Sequence, residues 1–507
     1  MFLYVLACLL CGLFLLISLF LHKRFTYWER RGVVHDKPTF LYGNLREFGR
    51  TKPLVQPFRD FYMKYKNKAP FGGFYLFMRP AIVLFDLELV KDILIKDFGN
   101  FPHRGNYYNE KDDPLSGHLV NLAGPKWRTM RTKLTPTFTS GKMKFMFPTV
   151  VHVANEFVSV FKDLVEKEHK VNALAMDTQE TVIEIKDLLA RFTTDVIGTC
   201  AFGLECNSLK NPQTLFRRMG SKVFTEQRYG KIMNSILNAF PELGRKLHIK
   251  LTHDDVDEFF MRVVRETVEY REREGVQRND FMNLLIELKK HNETEGFTIE
   301  DIAAQAFVFF LAGFETSSST MGFCLYELAL NQNVQDKARA EIQEMLDRYN
   351  GKFTYEGIRE LKYLQQIFYE TLRLYAIASF LLRKTIDDYP VPNTNHIIEK
   401  GTMIIVPVDA IHYDPDIYPN PTIFDPSRFE PEEIEKRHSM SWLPFGEGPR
   451  NCIGLRFGEM QAIIGLVMLL NNFKFTTSKQ TQIPIQMNKK CYLLASDGGI
   501  YLNVEKL

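Results

Sequence analysis

The chain has 507 residues, of which 45% are hydrophobic and 25% charged, and this composition excludes a disordered, collagen-like or polytopic membrane protein. Its 64 basic and 61 acidic residues leave a net charge of +3, which is too small over this length to indicate a general nucleic-acid-binding surface. We therefore predict a largely folded protein with no nucleic-acid partner.

The first segment, residues 1–21, is apolar and carries no charged side chain. As a helix it would span about 30 Å, which is the thickness of the hydrocarbon core of a bilayer. A cleaved signal peptide is the alternative, but no basic region precedes the apolar run and no small-residue cleavage site follows it. We expect a transmembrane anchor in contact with membrane lipid. Four basic residues between 23 and 31 then predict that the rest of the chain faces the cytosol.

Two further features bear on the compartment. The seven cysteines are an odd and scattered set, which disfavours a disulfide framework and fits a reducing compartment. The single N-x-S/T sequon, Asn292-Glu293-Thr294, is expected to stay unglycosylated on the cytosolic side.

Beyond the anchor we predict one domain. Residues 22–45 mix charges with Gly32, Pro38 and Gly43 and are interpreted as a linker. Residues 46–507 contain no second linker and no internal repeat, so they are predicted to form a single catalytic domain. Helical periodicity dominates, and strands are expected only at 71–86 around a turn at Arg79-Pro80, at 385–408 and at 493–504. The predicted fold class is mainly α with small β-sheets.

One predicted helix is unusually long. Thr298-Ile299-Glu300-Asp301 is typical of a capping box, and no proline follows it before about residue 330. Gln305, Glu315 and the hydroxyl residues 316–320 would be costly in lipid, so a buried central helix is favoured over a second membrane span. In its middle, the residues 312–316 place a small pair beside an acid and an alcohol, so a flat ligand could approach the backbone while these two proton-handling groups face it. Close helix packing explains the same small and hydroxyl residues, and this segment by itself favours that simpler interpretation.

The residues that indicate chemistry most strongly are Phe445-Gly446-Glu447-Gly448-Pro449-Arg450-Asn451-Cys452-Ile453-Gly454, followed by an apolar helical run from 455 to about 470. The glycines allow the backbone to fold closely around Cys452. Backbone N–H groups and the positive end of the helix would stabilise a thiolate, and such a sulfur can bind iron. An isolated cysteine in a loop is more often a buried thiol.

This segment matches F-x-x-G-x-R-x-C-x-G at every fixed position, and the chain thereby resembles the cytochrome P-450 superfamily, whose haem-binding signature this is. Residues 370–373 resemble the family's E-x-x-R, and residues 426–429 resemble its later P-E-R-F segment, with Ser427 in place of the usual acid. Trp127 and Arg131 resemble its W-x-x-x-R. The segments 104–115 and 134–143 look like insect microsomal members of the detoxification branch.

The resemblance implies a cytochrome P-450 fold that binds heme b (iron protoporphyrin IX) through an axial thiolate from Cys452. It implies further cofactor contacts from Phe445 and from the side chains Trp127, Arg131, Arg450, Arg104 and Arg383. Glu370, Arg373 and Arg428 would form a buried structural network that supports the cysteine loop. The absent proline in Tyr375-Ala376-Ile377 and the serine at 427 concern local loop shape. His412 is expected to be structural, because it lies at no useful spacing from a second metal ligand.

The resemblance also implies an activity. Glu315 and Thr316 would organise proton delivery to O2, and the enzyme would be a monooxygenase that inserts one oxygen atom into lipophilic small molecules. These would be xenobiotics such as plant toxins or insecticides, or endogenous lipids or hormones. The family's substrate pocket falls here at Val120, Leu311, Ala312, Ile377, Ala378 and Phe380.

The partners and location follow from the same resemblance. Electrons would come from NADPH through a separate NADPH-cytochrome P-450 reductase docked near the cysteine side, since the chain holds no convincing dinucleotide or flavin fingerprint. Cytochrome b5 is a further candidate donor. The expected location is the endoplasmic reticulum (microsomal) membrane.

Two other functions stay open at this stage. A haem-thiolate isomerase or dehydratase would act on peroxides without a reductase, although the pair Glu315-Thr316 favours dioxygen activation. A non-catalytic haem carrier or sensor would need neither an apolar pocket nor a proton-handling pair.

Overall fold

The computed structural model describes residues 1–174, 180–278, 280–291 and 297–507. The sequon Asn292-Glu293-Thr294 lies outside these residues.

Helices make up most of the described chain, which confirms the predicted fold class. In chain order they are α1 Phe2–Phe25, α2 Val55–Tyr65, α3 Leu87–Lys91, α4 Gly124–Leu134, α5 Ser140–Leu174, α6 Ile185–Ile197, α7 Leu215–Thr225, α8 Lys231–Ala239, α9 Pro241–Lys246, α10 Asp254–Glu274, α11 Phe281–His291, α12 Ile299–Leu330, α13 Gln332–Arg348, α14 Tyr355–Glu360, α15 Lys362–Leu374, α16 Val408–His412, α17 Pro431–Glu435 and α18 Leu455–Asn472.

The strands are short and form small sheets. They are β1 Phe71–Leu76, β2 Arg79–Leu84, β3 Val182–Glu184, β4 Leu381–Lys384, β5 Tyr389–Pro390, β6 Ile397–Ile398, β7 Met403–Val406, β8 Phe473–Thr476 and β9 Tyr501–Lys506. A four-stranded sheet has the order β1-β2-β7-β4, a three-stranded sheet the order β3-β9-β8, and β5 pairs with β6. In the larger sheet β1 and β2 are antiparallel, whereas β2 and β7 run parallel with Ala81 opposite Met403.

The predicted strand boundaries need three corrections. The β1–β2 turn lies at Phe77-Met78, not at Arg79-Pro80, because Pro80 can occupy the start of β2, before the pairing with β7 begins at Ala81. The last strand begins only at Tyr501. β3, β4 and β8 were not predicted, since segments of three or four residues carry too little periodicity to be distinguished from loops.

The helix α1 is a candidate membrane anchor by its length and composition, and its described side chains are almost all exposed. After it the chain turns directly onto the larger sheet. Trp28 is buried over Gly73, where a Cβ would come within 2.3 Å of the indole, and the Trp28 Nε1–H donates to the carbonyl of Phe74 at 3.1 Å. The segment after α1 is therefore packed against the domain.

The helix α12 runs through the middle of the helical core and packs against α6, α10, α15 and α18. Its capping box is confirmed, since Thr298 and Asp301 each bond the other's backbone N–H. Most of its side chains are buried, including the polar Gln305, which accepts a hydrogen bond from the backbone N–H of Leu119 at 2.9 Å. Neighbouring elements thus satisfy the polar groups that made a membrane span unfavourable.

Candidate active site

The cysteine loop, residues 445–454, closes on itself immediately before α18. The backbone N–H of Cys452 donates to the carbonyl of Phe445 at 2.8 Å. Gly446 and Gly448 adopt left-handed φ values of 67° and 73°. At Gly448 a Cβ would come within 2.0 Å of the carbonyl oxygen of Leu94, so this position requires glycine. The loop therefore presents the Cys452 side chain from a tightly constrained backbone.

Cys452 is exposed to an internal cavity while lying deep within the protein. Burial raises the pKa of its thiol, and the backbone N–H of Gly454 and the guanidinium groups of Arg131 and Arg104 partly oppose that rise. Burial therefore outweighs the loop's own donors and charges, and a thiolate here needs a further positive partner.

The cavity above Cys452, called here the cysteine cavity, has a volume of about 300 Å³ and a mostly apolar wall. It brings together predicted residues from five separate parts of the chain. The predicted residues in its lining are Arg104, Val120, Trp127, Arg131, Ala312, Thr316, Ile377, Ala378, Phe445, Arg450 and Cys452.

Three arginines contribute to the cavity lining, and each donates a hydrogen bond to a backbone carbonyl oxygen. Arg131 donates to the carbonyl and the side-chain oxygen of Asn451 at 2.9 and 2.6 Å. Arg104 donates to the carbonyl of Arg450 at 3.2 Å. Arg450 itself donates to the carbonyl of Leu122 at 2.6 Å and lies over the Trp127 ring, 4.2 Å from its centroid.

These cations lack anionic partners within the described chain. None of Arg104, Arg131, Arg383 and Arg450 forms an ion pair with a described carboxylate, and Arg450 Nε and Nη1 are buried without a hydrogen-bond partner there. Burial, followed by the charges of the other three arginines, lowers the pKa of Arg450 to about 8. Burial also lowers the pKa of Arg104 to about 10. Such a site favours a ligand that carries negative charge into an otherwise apolar cavity.

On the wall formed by α12, Ala312 and Thr316 face the cavity one helical turn apart, and Thr316 Oγ1 donates to the carbonyl of Ala312 at 2.6 Å. Glu315 differs from the prediction, because it is not part of the lining. Its carboxylate pairs with Lys186 of α6 at 2.8 Å. The Glu315 side chain is directed toward α6 by this ion pair, whereas Thr316, the next residue, faces the cysteine cavity.

Three other predicted residues also lie outside the cysteine cavity. Leu311 and Phe380 line a separate outer cavity of about 570 Å³, bounded by the larger sheet and by residues of α7 and α8. Arg383 lies behind the lining, where it is 1% exposed and burial lowers its pKa to about 9. Its charge nevertheless contributes to the lowered pKa of Arg450.

A second polar cluster, called here the closed network, lies apart from the cavity. Arg373 makes a two-pronged contact with Glu370 at 2.7 and 2.8 Å, and both side chains are completely buried. Arg428 Nε approaches Glu370 at 3.5 Å. Burial alone would lower the pKa of Arg373, but the hydrogen bonds and charge of Glu370 raise it.

The closed network is joined to the cysteine loop through His412. Arg373 donates to the carbonyl of His412 at 2.9 Å, and the His412 Nε2 accepts the backbone N–H of Leu443 at 2.9 Å. Leu443 lies two residues before the loop begins. Burial lowers the pKa of His412 to about 3, so this neutral imidazole serves as a structural acceptor.

Sequence reasoning missed two polar side chains at the site. Asn451 occupies a variable position of the cysteine motif, and its role in holding Arg131 depends on α4 lying beside the loop. Lys186 is 129 residues from Glu315 along the chain, and no local pattern relates them.

Comparison with known proteins agrees with this geometry. The family model for Cytochrome P450 matches residues 35–504. Cytochrome P450 6a2 of Drosophila melanogaster is 50% identical over 514 residues, which cover 99% of this chain and 100% of that relative. Cytochrome P450 6a8 of the same species is 49% identical over 512 residues, which cover 99% of each chain. The chain belongs to the cytochrome P450 family, whose members are monooxygenases that use haem with a cysteine thiolate as axial ligand.

The residues of the cysteine cavity fit this cofactor. The only thiol in its lining is Cys452, the walls are apolar, and the unpaired donors of Arg450 suit the two carboxylates of protoporphyrin IX.

Proposed function

We propose that the protein is a membrane-anchored monooxygenase in which Cys452 is the axial haem ligand. It would insert one oxygen atom from O2 into lipophilic small molecules of the xenobiotic class, or into endogenous lipids or hormones. Its electrons would come from NADPH through NADPH-cytochrome P-450 reductase, with cytochrome b5 as a second donor. The overall reaction consumes RH, O2, NADPH and H⁺ and yields ROH, H2O and NADP⁺.

One observation carries this proposal: a single thiol opens onto an apolar cavity bordered by guanidinium groups that have no carboxylate partner in the described chain. A thiolate is a suitable ligand for haem iron, and buried cations require an anionic ligand. Arg131, Arg450 and Arg104, with Trp127 beside them, would hold the propionates. The closed network would keep the loop in place from outside the cavity.

When bound, the haem supplies iron that activates dioxygen, with the thiolate promoting cleavage of the O–O bond. Thr316 supplies a polar group on the cavity wall formed by α12. Because its hydroxyl hydrogen is donated to the carbonyl of Ala312, the lone pairs of Thr316 Oγ1 can accept a hydrogen bond from a protonated group in the cavity. Ile377, Ala378 and Val120 would exclude water and contact the substrate.

For Glu315 we propose a role one step removed from the cavity. Its contacts with Lys186 and with Ser319, the latter at 3.3 Å, suit a carboxylate that passes protons toward the cavity rather than one that touches the ligand. Leu311 and Phe380 would contact substrate in the outer cavity, before it reaches the iron.

We further propose that residues 1–21 anchor the protein in the endoplasmic reticulum membrane with the domain 46–507 on the cytosolic face, the segment 22–45 joining the two. The apolar, exposed helix α1 and the basic residues at its end support this arrangement.

Carbon monoxide difference spectroscopy tests the iron ligand. The reduced wild-type protein should show the strongly red-shifted Soret band of thiolate-bound haem, and Cys452→Ala should lose it completely. Cys491→Ala, which alters a partly buried cysteine outside the cavity lining, is the control and should keep it. A red-shifted band in Cys452→Ala would refute the assignment.

The role of Thr316 in proton delivery is tested by assaying the enzyme with reconstituted reductase and a panel of 7-alkoxycoumarins. Thr316→Ala should keep the haem spectrum but convert more of the NADPH into hydrogen peroxide, lowering product per NADPH by about tenfold. Glu315→Gln should have a smaller effect because its side chain is outside the cavity. Unchanged coupling in Thr316→Ala would contradict the role of this hydroxyl.

The same panel discriminates the other functions. Product formation that requires both NADPH and reductase excludes a peroxide isomerase or dehydratase, and product formation of any kind excludes a haem carrier. Absence of NADPH-dependent product across the panel and a wider lipophilic set would argue against the monooxygenase.

A further inference from the structure

The middle of α12 has an unusual set of side-chain hydrogen bonds. Five consecutive backbone carbonyls, those of residues 312–316, each receive a side-chain donor. The donors, in the order of the carbonyls, are Thr316 at 2.6 Å, Gln461 at 3.0 Å, Thr193 at 2.9 Å, Ser318 at 3.1 Å and Thr320 at 2.9 Å. Hydroxyl groups that bond back to their own helix tend to bend it, so this turn needs support from outside.

Two of the five donors come from neighbouring helices. Gln461 belongs to α18, the helix that follows the cysteine loop, and its Nε2 donates to the carbonyl of Gly313. Thr193 belongs to α6 and lies on another side of α12, where its hydroxyl contacts the carbonyl of Phe314. Both side chains are completely buried. These contacts therefore tie the turn that carries Thr316 to two fixed elements.

Burial of the Gln461 side-chain amide is energetically unfavourable. Its Oε1 is buried and has no hydrogen-bond partner within the described residues. A buried amide with one unsatisfied oxygen is less favourable than an apolar side chain of the same shape, so its stabilising value to the fold is poor. The hydrogen bond that this amide does form within the described residues is from Nε2 to the carbonyl of Gly313, beside the cavity.

The packing around Gly313 shows how closely α6 supports this turn. A Cβ at Gly313 would come within 2.2 Å of Ile197, so α6 approaches the backbone directly. Gly313 and Ala312 offer no polar side chain, and Thr316 already uses its hydrogen on the carbonyl of Ala312. Gln461 and Thr193 donate to the two carbonyls of this turn, those of Gly313 and Phe314, that receive no described side-chain donor from α12 itself.

We propose that Gln461 is a positioning residue for oxygen activation, and that Thr193 supports it. By holding the carbonyls of Gly313 and Phe314, they keep Thr316 Oγ1 directed into the cysteine cavity. Gln461 thereby links the helix behind the cysteine to the helix carrying the hydroxyl. This inference rests on the proposed monooxygenase function and adds residues that do not touch the ligand.

The consequence concerns how reducing equivalents are divided. In the coupled reaction, RH, O2, NADPH and H⁺ give ROH, H2O and NADP⁺. In the uncoupled reaction, O2, NADPH and H⁺ give H2O2 and NADP⁺. A displaced Thr316 hydroxyl favours the second outcome, because a small error in the position of a proton-handling group is costly in rate.

The test uses Gln461→Leu, which keeps the approximate shape and removes the donor. The haem-loaded full chain is reconstituted with reductase and the 7-alkoxycoumarin that the wild type dealkylates fastest. We expect product per NADPH to fall about threefold or more, with peroxide rising in proportion, while the carbon monoxide spectrum stays that of the wild type.

The matched control is Gln335→Leu. Gln335 is also a completely buried glutamine, and its amide donates to the carbonyl of Leu328 near the far end of the same helix, at 3.0 Å. It also bonds Phe475, so its loss should lower thermal stability more than the loss of Gln461 while leaving the product-to-peroxide ratio unchanged. Equal shifts of that ratio in both variants would overturn the proposal.

Amide hydrogen exchange gives a readout that does not depend on turnover. In Gln461→Leu, peptides covering residues 310–320 should exchange about tenfold faster, whereas Gln335→Leu should affect residues near 328. Thr193→Val keeps the shape of the side chain and removes the hydroxyl. It should change product per NADPH and amide exchange in the same direction as Gln461→Leu. If Gln461→Leu fails to accumulate, Thr193→Val decides the matter alone, and wild-type coupling and exchange in it would refute the proposal.

Failure of the proposed function would be recognised separately. A wild-type enzyme that makes no product would contradict the monooxygenase itself. Normal wild-type turnover together with normal coupling and exchange in Gln461→Leu would contradict only the positioning role.

Discussion

Two sets of buried arginines differ in where their positive charge finds its partner. In the closed network, Arg373 and Arg428 share the carboxylate of Glu370, and backbone carbonyls accept from Nη1 and Nη2 of Arg373 and from Nη2 of Arg428. Around the cysteine cavity, burial and the charges of Arg104, Arg383 and Arg131 lower the pKa of Arg450, and no described carboxylate pairs with any of the four.

The difference separates structure from binding. A buried cation without an anion is unstable, and a chain that only needed to fold would supply a carboxylate, as it does for Arg373. The arginines at the cavity are held by carbonyl oxygens, which orient their guanidinium groups but leave their charge unneutralised. Among the described residues no carboxylate pairs with these arginines, so this part of the cavity favours a ligand that carries negative charge.

The largest expected effect is on the closed network. Glu370→Leu leaves the buried Arg373 and the partly buried Arg428 without their carboxylate and should cost about 3–5 kcal/mol of stability. We expect a large fall in the thermal midpoint and little haem-containing protein on purification. Glu272→Leu, which breaks a half-exposed pair with Lys289, is the control and should cost less than about 1 kcal/mol. Similar stability losses in the two variants would remove the distinction between the networks.

At the cysteine cavity we expect the loss of a cation to weaken haem binding more than it lowers thermal stability. Arg450→Met removes a poorly neutralised cation, so unfolding of the helices should occur at nearly the wild-type temperature. Because a hydrogen bond to a charged group is worth about 1.5–3 kcal/mol, haem should transfer to a globin acceptor about ten- to a hundredfold faster. A large fall in the thermal midpoint with normal haem retention would show that Arg450 is structural, like Arg373.

The smallest effect concerns Glu327, a second buried acid, which lies beside the closed network. Burial and the nearby Glu370 raise the pKa of Glu327 to about 7, although Tyr375 donates a hydrogen bond to it. The folded protein then keeps this proton between about pH 4.3 and 7 while the unfolded chain has lost it, so stability falls as the pH rises through that range.

We expect Glu327→Gln to remove about 2 kcal/mol of this pH dependence. Thermal unfolding at pH 5 and pH 8 measures it, with Glu344→Gln on an exposed helix face as the control. A wild-type pH dependence in Glu327→Gln would show that Glu327 does not carry the raised pKa.

Much of this molecule was predictable from local patterns. The long helix α12 was marked by its capping box and by its freedom from proline, and the mainly helical class followed from periodicity. The cysteine motif predicted a tight loop before a helix, because its glycines sit where φ is positive or where a side chain would collide with the backbone. The position of the β1–β2 turn and the short strands β3 and β8 were not predictable, since β2 pairs with β7, more than 300 residues away, and both short strands pair with β9.

The direction of each side chain was less accessible from sequence. Glu315 and Thr316 are adjacent in the chain and were predicted to face one ligand, but one pairs with Lys186 and the other lines the cavity. Leu311 and Ala312 divide in the same way between the outer cavity and the cysteine cavity.

By itself the sequence determined which chemistry the protein can hold: one cysteine in a glycine-rich loop before a helix, a set of arginines, and an alcohol in the middle of a long apolar helix. These depend on neighbours within a few residues, where backbone sterics and helix geometry decide. Only the tertiary structure decided which arginines form an ion pair with a described carboxylate and which do not. It also decided that the Gln461 amide donates to the carbonyl of Gly313. Electrostatic and hydrogen-bond partners are set by distance in space, and residues over a hundred positions apart are brought together only when the helices pack.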